Sequence, residues 1–418
     1  MTLAVILLAL GAAAAPATPD AEIRAAAERL APAVTAVRRQ LHAQPELSNR
    51  EERTGAFVAE RLRALGLEVR HPVAKTGVVG VLRGAQPGGV VGLRADMDAL
   101  PIEETGELPF RSQVKGVMHA CGHDAHTAIL LGAAEVLAGL KARLRGSVVF
   151  LFQPAEEGPP EGEAGGAALM VQEGALDAPK VEAVFGLHVG SWTSVGQAGY
   201  TEGPIFASSD SFTIEVEGKT VHGAQPHMGL DPIPVASEIV LALQTIVSRQ
   251  IDGRRPRVLT IGRIQGGTRF NVIAGRVTMD GTMRTHDAAV RGLMKERLAR
   301  TVKGVAEAHG TTATLRFPDE GNAPTVNDTA LAREVGIPAL ARVFGKGAVE
   351  VEPQMVAEDF PHYAQKAPTF YFLLGTRNDA KGIGSVNHTS SFDVDEAALP
   401  LGVRAMATLA FDFLDRKR

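Results

Sequence analysis

The stretch Met118-His119-Ala120-Cys121-Gly122-His123-Asp124-Ala125-His126 gathers three imidazoles, a carboxylate and the only cysteine of the chain directly before a helical pattern. Sulfur and imidazole donors mixed with carboxylates suit zinc or manganese. Gly122 lets the backbone turn tightly enough to aim Cys121 and His123 at one point. The N-terminus of the following helix favours a thiolate. On spacing alone, His119 and His126 are equal candidates as ligands. Three apolar runs end in further polar groups: Val90–Leu93 in Arg94-Ala95-Asp96-Met97-Asp98, Val148–Phe152 in Gln153-Pro154-Ala155-Glu156-Glu157, and Ala183–Leu187 in His188. In open α/β sheets ligands sit beyond the carboxyl ends of the strands, where these residues fall. Each has an inert reading: a buried small cysteine, a solvated Glu156–Glu157 pair, turn-capping Asp96 and Asp98, a core histidine at 188. A thiol protease with Cys121 as nucleophile would leave the paired glutamates idle, and the local sequence matches neither cysteine-nucleophile signature expected of such enzymes.

The elements that must position these groups alternate between two rhythms. Helical periodicity covers 21–41 and 50–65, broken at Pro45. Short apolar strands at 77–82, 90–93, 147–152 and 181–189 then alternate with helices at 125–141 and 167–172. Such strands belong to a mixed sheet covered on both faces, an α/β architecture. Between 211 and 317 the pattern becomes strand 211–217, helix 232–249, strands 258–264 and 272–284, helix 288–309 and strand 312–317. That β-α-β-β-α-β order predicts an inserted ferredoxin-like α+β module. A helix at 331–344, a buried strand at 368–374 and a helix at 397–416 complete the outer domain. The expected division is a discontinuous α/β domain carrying the candidate ligands, 18–205 and 320–418, around the inserted module at 206–319; the family resemblance described below makes that module a lid and dimerisation domain.

Composition narrows the partners. The 43 basic and 47 acidic side chains give a net charge of -4, so no broad cationic field invites nucleic acid. One cysteine excludes a disulfide framework within the chain. Residues 1–17 combine an apolar run with Ala15-Pro16-Ala17 and read as an export signal, although no Lys or Arg precedes the run. The mature protein is expected to be exported, periplasmic or secreted, and no later run approaches a membrane span.

Taken together the motifs resemble those of the N-acyl-amino-acid amidohydrolases, the hippurate hydrolase and auxin-conjugate hydrolase branch of the aminoacylase/carboxypeptidase metallopeptidases. The strings carrying the resemblance are LRADMDALPIEE (93–104), MHACGHDAHTA (118–128), FQPAEEG (152–158), FGLHV (185–189), HGAQPH (222–227), DPI (231–233), GGTRFNVI (266–273), DGTMRT (280–285), AEDF (357–360) and NHTSSF (387–392). The resemblance implies a pair of divalent ions, Zn or Mn, held by Cys121, His123, Glu157, His188 and His388. It makes Glu156 the catalytic base, Asp98 a carboxylate that orients a ligand, and His222 a lid histidine that stabilises the oxyanion. Asn271 and Arg284 match lid positions suited to gripping substrate, and His119 and His126 revert to structural roles. A homodimer through the lid is also implied. The expected reaction is hydrolysis of the acyl-amide bond of an N-acyl-amino acid by activated water. The rivals are a dipeptidase or small carboxypeptidase using the same site, and an exported binding protein without turnover. Departures from the family pattern are the long segment Gly158–Ala164, Lys219-Thr220-Val221 before the lid histidine, and Ala274-Gly275 after Ile273. They are expected to shift specificity rather than remove activity.

Overall fold

The computed structural model describes residues 18–416, so the expected export leader at 1–17 lies outside the described residues. Eight strands form one sheet in the order Glu68–Val73, Gly77–Arg83, Arg145–Gln153, Gln86–Asp96, Ala183–Ser194, Thr369–Arg377, Ala198–Tyr200, Ala348–Glu350. The central pairings from Arg145–Gln153 through Gln86–Asp96 and Ala183–Ser194 to Thr369–Arg377 are parallel. Four carboxyl-terminal strand ends therefore come to one edge.

Both faces are covered, and the strand Arg145–Gln153 shows why it reads as continuously apolar. Val148, Phe150 and Phe152 enter one core with the helices Pro19–Ala43, His123–Gly139 and Leu399–Asp415. Val149 and Leu151 enter a second core with Met170, Phe360 and Tyr363. Period-two alternation sends neighbours to opposite faces, and each such buried side chain contributes about 1.5–3 kcal/mol. The helical segment Glu396–Asp415 has the length and apolarity of a membrane span, contrary to expectation, but 67% of that window is buried inside the protein. It is a core helix here.

The inserted module has the expected topology. Its antiparallel sheet runs Ala313–Arg316, Asp210–Glu217, Arg276–Thr285, Arg257–Gly266, backed by helices Pro232–Thr245 and Ala288–Ala308. Both helices start at side-chain caps, Asp231 to the Ile233 amide at 3.0 Å and Asp287 to the Ala289 amide at 2.8 Å. Entry and exit chains pair at Ser209 and Asn322 through reciprocal backbone bonds of 3.0 and 2.8 Å.

Two differences have local causes. The expected helix 331–344 divides into Thr329–Leu331, a wider turn at Ala332–Gly336, and Ile337–Phe344. Pro338 lacks the amide that would continue the ladder. The strand Glu68–Val73 has no apolar run because it lies at a sheet edge with its side chains largely exposed.

Candidate metal centre

The site assembles at the carboxyl-terminal edge. Asp96 ends its strand, Glu156 and Glu157 follow Gln153, His188 lies within Ala183–Ser194, and Cys121-Gly122-His123 starts the helix His123–Gly139. His388 arrives from the loop before the last helix. Three of these turns use left-handed backbone: Gly122 at φ 94°, Ala155 at φ 52° and His388 at φ 65°. For the two non-glycine residues this costs about 1–3 kcal/mol each, a strain that persists only where surrounding bonds enforce it. At 388 those bonds are the His388 amide to the Ala120 carbonyl at 2.8 Å and Asn387 Nδ2 to the Cys121 carbonyl at 3.0 Å.

Donor atoms converge on Cys121. Its Sγ lies 3.4 Å from His188 Nε2 and 3.2 Å from His388 Nε2. His388 Nε2 is in turn 3.1 Å from Glu157 Oε1. Cys121 thus belongs to two donor triads, one with His123 and His188 and one with Glu157 and His388, each with its ligand atoms within 4.8 Å of one another. His123, Glu156 and Glu157 make a third such set. His123 Nε2 and Glu157 Oε1 are buried without a hydrogen-bond partner. Orphaned acceptors in a sulfur, imidazole and carboxylate set are what a transition ion would satisfy.

The electrostatics agree. Burial, reinforced by Glu157, Glu156 and Asp96, pushes the Cys121 thiol well above its ordinary range. A thiol nucleophile needs the opposite shift, whereas a coordinating cation supplies the charge that ionises it. Burial holds His188 far below the usual imidazole value, with help from His126. Its Nδ1–H donates to the Val189 carbonyl at 2.7 Å, leaving Nε2 as a lone-pair donor. Burial and the neighbouring carboxylates Glu358, Glu157, Asp359 and Asp96 raise Glu156 well above the ordinary carboxyl range. An elevated carboxyl fits a group that must both take and give a proton near neutrality.

The remaining histidines separate cleanly. His126 Nδ1 lies 2.5 Å from Asp96 Oδ1, and its Nε2 accepts the Val189 amide at 2.9 Å. Both nitrogens are engaged by protein groups, while His126 also forms a donor set with Asp96 and His123. His119 is buried and enters no donor set among the described residues. Asp98 accepts the amides of Glu156 and Glu157 at 3.0 and 3.1 Å and the Ser48 hydroxyl at 2.7 Å. It also stands 3.3 Å from His123 Nδ1. One carboxylate thereby fixes both glutamates and faces His123.

A layer behind Glu156 had no assigned role in the sequence. Arg94, fully buried, donates to Gln153 Oε1 at 2.8 Å, Glu358 at 2.7 Å and Asp359 at 3.1 Å, and also pairs with Asp96. Tyr371 adds a 2.8 Å bond to Glu358. The available signal was an arginine inside an apolar strand, which almost never occurs without buried anions to meet it.

The centre opens into a cavity of ≈ 670 Å³ walled by Trp192, Phe206, Met355 and Val386 on apolar sides and by Ser209, Arg284 and Asn322 on polar ones. Arg284 comes from the lid and is half-buried, with no ion pair or hydrogen bond to another side chain among the described residues. His222 and Asn271 do not line this cavity. They sit together on the lid, where the Gly223 amide bonds the Asn271 carbonyl at 2.8 Å and His222 is exposed. Of the two residues matched to substrate-gripping positions, Arg284 lines this cavity of the single chain and Asn271 does not. The long segment after Glu157 lines a second cavity of ≈ 940 Å³ that shares Glu156, Glu157, Ser209 and Asn322 with the first.

Comparison with known proteins adds independent information. The model of peptidase family M20/M25/M40 matches residues 92–412. Thermostable carboxypeptidase 2 of Saccharolobus solfataricus is 44% identical over 91% of this chain and 95% of its own length. N-acyl-L-amino acid amidohydrolase of Geobacillus stearothermophilus is 45% identical over 79% of this chain and 88% of its own. A solved dinuclear metal-binding peptidase of family M20 from Bacillus subtilis superposes with a TM-score of 0.80 at 35% identity, covering 93% of this chain and 99% of the other.

Gly122 offers a direct test of the turn. A Cβ there would stand 2.3 Å from Val189 Cγ2 at a φ of 94°. Gly122→Ala is expected to lower the unfolding free energy by about 1–3 kcal/mol and to reduce bound metal. Chemical denaturation and elemental analysis check both, and an unchanged metal content would separate the turn from the donor set.

Proposed function

From a chain that belongs to peptidase family M20/M25/M40, and so is a metal-binding hydrolase, we propose the reaction R–CO–NH–CHR′–COO⁻ + H₂O to a carboxylic acid and a free amino acid. Cys121, His123, Glu157, His188 and His388 would hold two divalent ions, Zn or Mn. Such ions, when bound, acidify water and polarise an amide carbonyl. Glu156 receives the proton of the attacking water and returns it to the departing amine. Asp98 keeps both glutamates and His123 in register. The observation that carries this reading is the position of Glu156. Its Oε2 lies 3.7 Å from His123 Nε2, and it lines a cavity whose lid wall presents an unpaired guanidinium.

A carboxypeptidase reading has its own support in the 44% identical thermostable carboxypeptidase. A terminal carboxylate on Arg284 would serve either substrate. Hydrolysis of N-acetyl, N-benzoyl and indole-acetyl amino acids alongside dipeptides, with Zn and Mn in parallel, decides. A strict need for a free N-terminal amine would turn the assignment to peptides. Glu156→Gln is expected to cut kcat by about 10²–10⁴-fold with metal content retained; near-native turnover would remove Glu156 as base.

Arg284 is assigned to the substrate carboxylate, which it can grip with two parallel N–H donors. Arg284→Ala is expected to raise KM by about 10–100-fold through the lost charge-assisted bonds, with a smaller change in kcat. Equal KM values for the acid and its methyl ester in the wild-type protein would contradict this role.

A homodimer through the lid is proposed from its surface. Strand Arg257–Gly266 is an unpaired edge, and Leu241, Ile264 and Phe270 on the same module are 72%, 52% and 95% exposed. His222 and Asn271, outside the cavity of their own chain, would serve a partner's oxyanion and substrate in that dimer. Sedimentation should give a dimer that Ile264→Lys dissociates, with activity falling as it does; a fully active monomer would rule out this arrangement.

A further inference from the structure

We propose that Arg38 is a positioning residue of the metal centre, holding the His388 loop and the Cys121–His123 turn at a fixed separation. The inference rests on the metal-site assignment above. Arg38 lies in the first helix, is 1% exposed, and touches no donor atom. Its Nε bonds Asp124 Oδ2 at 2.9 Å. Its Nη2 bonds Asp393 Oδ1 at 2.7 Å, and Nη1 approaches Glu396 at 3.4 Å. Asp124 directly follows His123, and Asp393 lies at the far end of the short segment that starts with His388. One guanidinium therefore spans the two chain segments whose ligands must meet.

The His388 side needs such a hold. His388 sits in left-handed backbone at φ 65°, and its side chain is 52% exposed. Packing alone cannot fix a half-exposed ring, so its distance of 3.2 Å from Cys121 Sγ depends on where the loop is tied. The near ties are the His388 amide to Ala120 and Asn387 to Cys121. Between them and Asp393 stands Phe392, buried beneath Gly122. Arg38 closes this segment from the other end. Its fork makes the role specific to arginine: separate N–H groups point to separate carboxylates, which the single ammonium of lysine cannot reproduce. Phe110 covers the guanidinium at 4.8 Å from its ring centre, and His42 Nδ1 meets the same Asp124 Oδ2 at 2.8 Å.

The test uses the full chain, stripped of metal and titrated with Co(II) and Zn(II) against a competing chelator. In Arg38→Lys and Asp393→Asn the ion bound by Cys121, Glu157 and His388 is expected to weaken about 10–100-fold, the usual effect of losing a partner that orients a ligand. The share of the cobalt–thiolate absorption due to this ion should fall with it, while in Asp393→Asn, which leaves Asp124 bonded to Arg38, the ion held by Cys121 with His123 and His188 keeps its affinity. Asp393 is 19% exposed, so Asp393→Asn is expected to fold and to decide the matter if Arg38→Lys does not. Wild-type affinity for both ions in Asp393→Asn overturns the proposal, as does an equal loss of both ions together with stability. Failure here is separable from failure of the proposed reaction: a wild-type protein that binds two ions and cleaves no acyl-amino acid or peptide leaves Arg38 in this role and removes only the reaction.

Discussion

The molecule is organised around an excess of buried negative charge at one sheet edge. Asp96, Asp98, Glu358 and Asp359 are almost wholly buried, and Glu156 and Glu157 stand beside them. Carboxylates in such a place are costly unless cations meet them. Arg94 answers from inside the sheet, reaching Asp96, Glu358 and Asp359 at once. On the open side the compensation falls to imidazoles and to a site built for cations. Burial, reinforced by the same charge, raises both the Glu156 carboxyl and the Cys121 thiol.

That arrangement accounts for the distribution of strain. Left-handed residues at Gly122, Ala155 and His388 stand where chain segments from different elements must turn donors toward a common point. Asp98 gathers the amides of Glu156 and Glu157, and Asn387 bonds the Cys121 and Val189 carbonyls. The second tie joins segments that carry proposed ligands, and the first fixes Glu156 and Glu157 to the strand end at Asp98. Precision comes from these cross-links, since loops alone would not hold five donors to a metal's tolerances.

The lid solves a separate problem. It is a self-contained α+β unit with its own core, joined through the paired Ser209 and Asn322, which also line the cavity. Movement of the lid would therefore alter the cavity wall without disturbing the donors. Arg284 is the lid residue that reaches this wall, whereas His222 faces away on the same module. In the proposed dimer a second copy would give His222 a use, and the exposed apolar residues of the module would give that copy a place to bind.

Much of this was legible along the chain. Apolar runs ending in Asp98, Glu156 and His188 marked the sheet edge, because burial on both faces leaves a strand no polar position until it ends. The β-α-β-β-α-β rhythm marked the lid, and the motif resemblance supplied the ligand set. Residue order could not separate Glu156 from Glu157, nor His126 from His123, since adjacent or nearby residues of like chemistry differ only in what faces them. Tertiary structure supports the proposed choice through the Val189 amide on His126 and the position of His388 beside Glu157. It alone disclosed Arg94 among its anions and Arg38 between Asp124 and Asp393, pairs separated by up to 355 residues. Local sequence dictates which face a side chain takes within its own element; which charges meet across elements is set by how the layers pack.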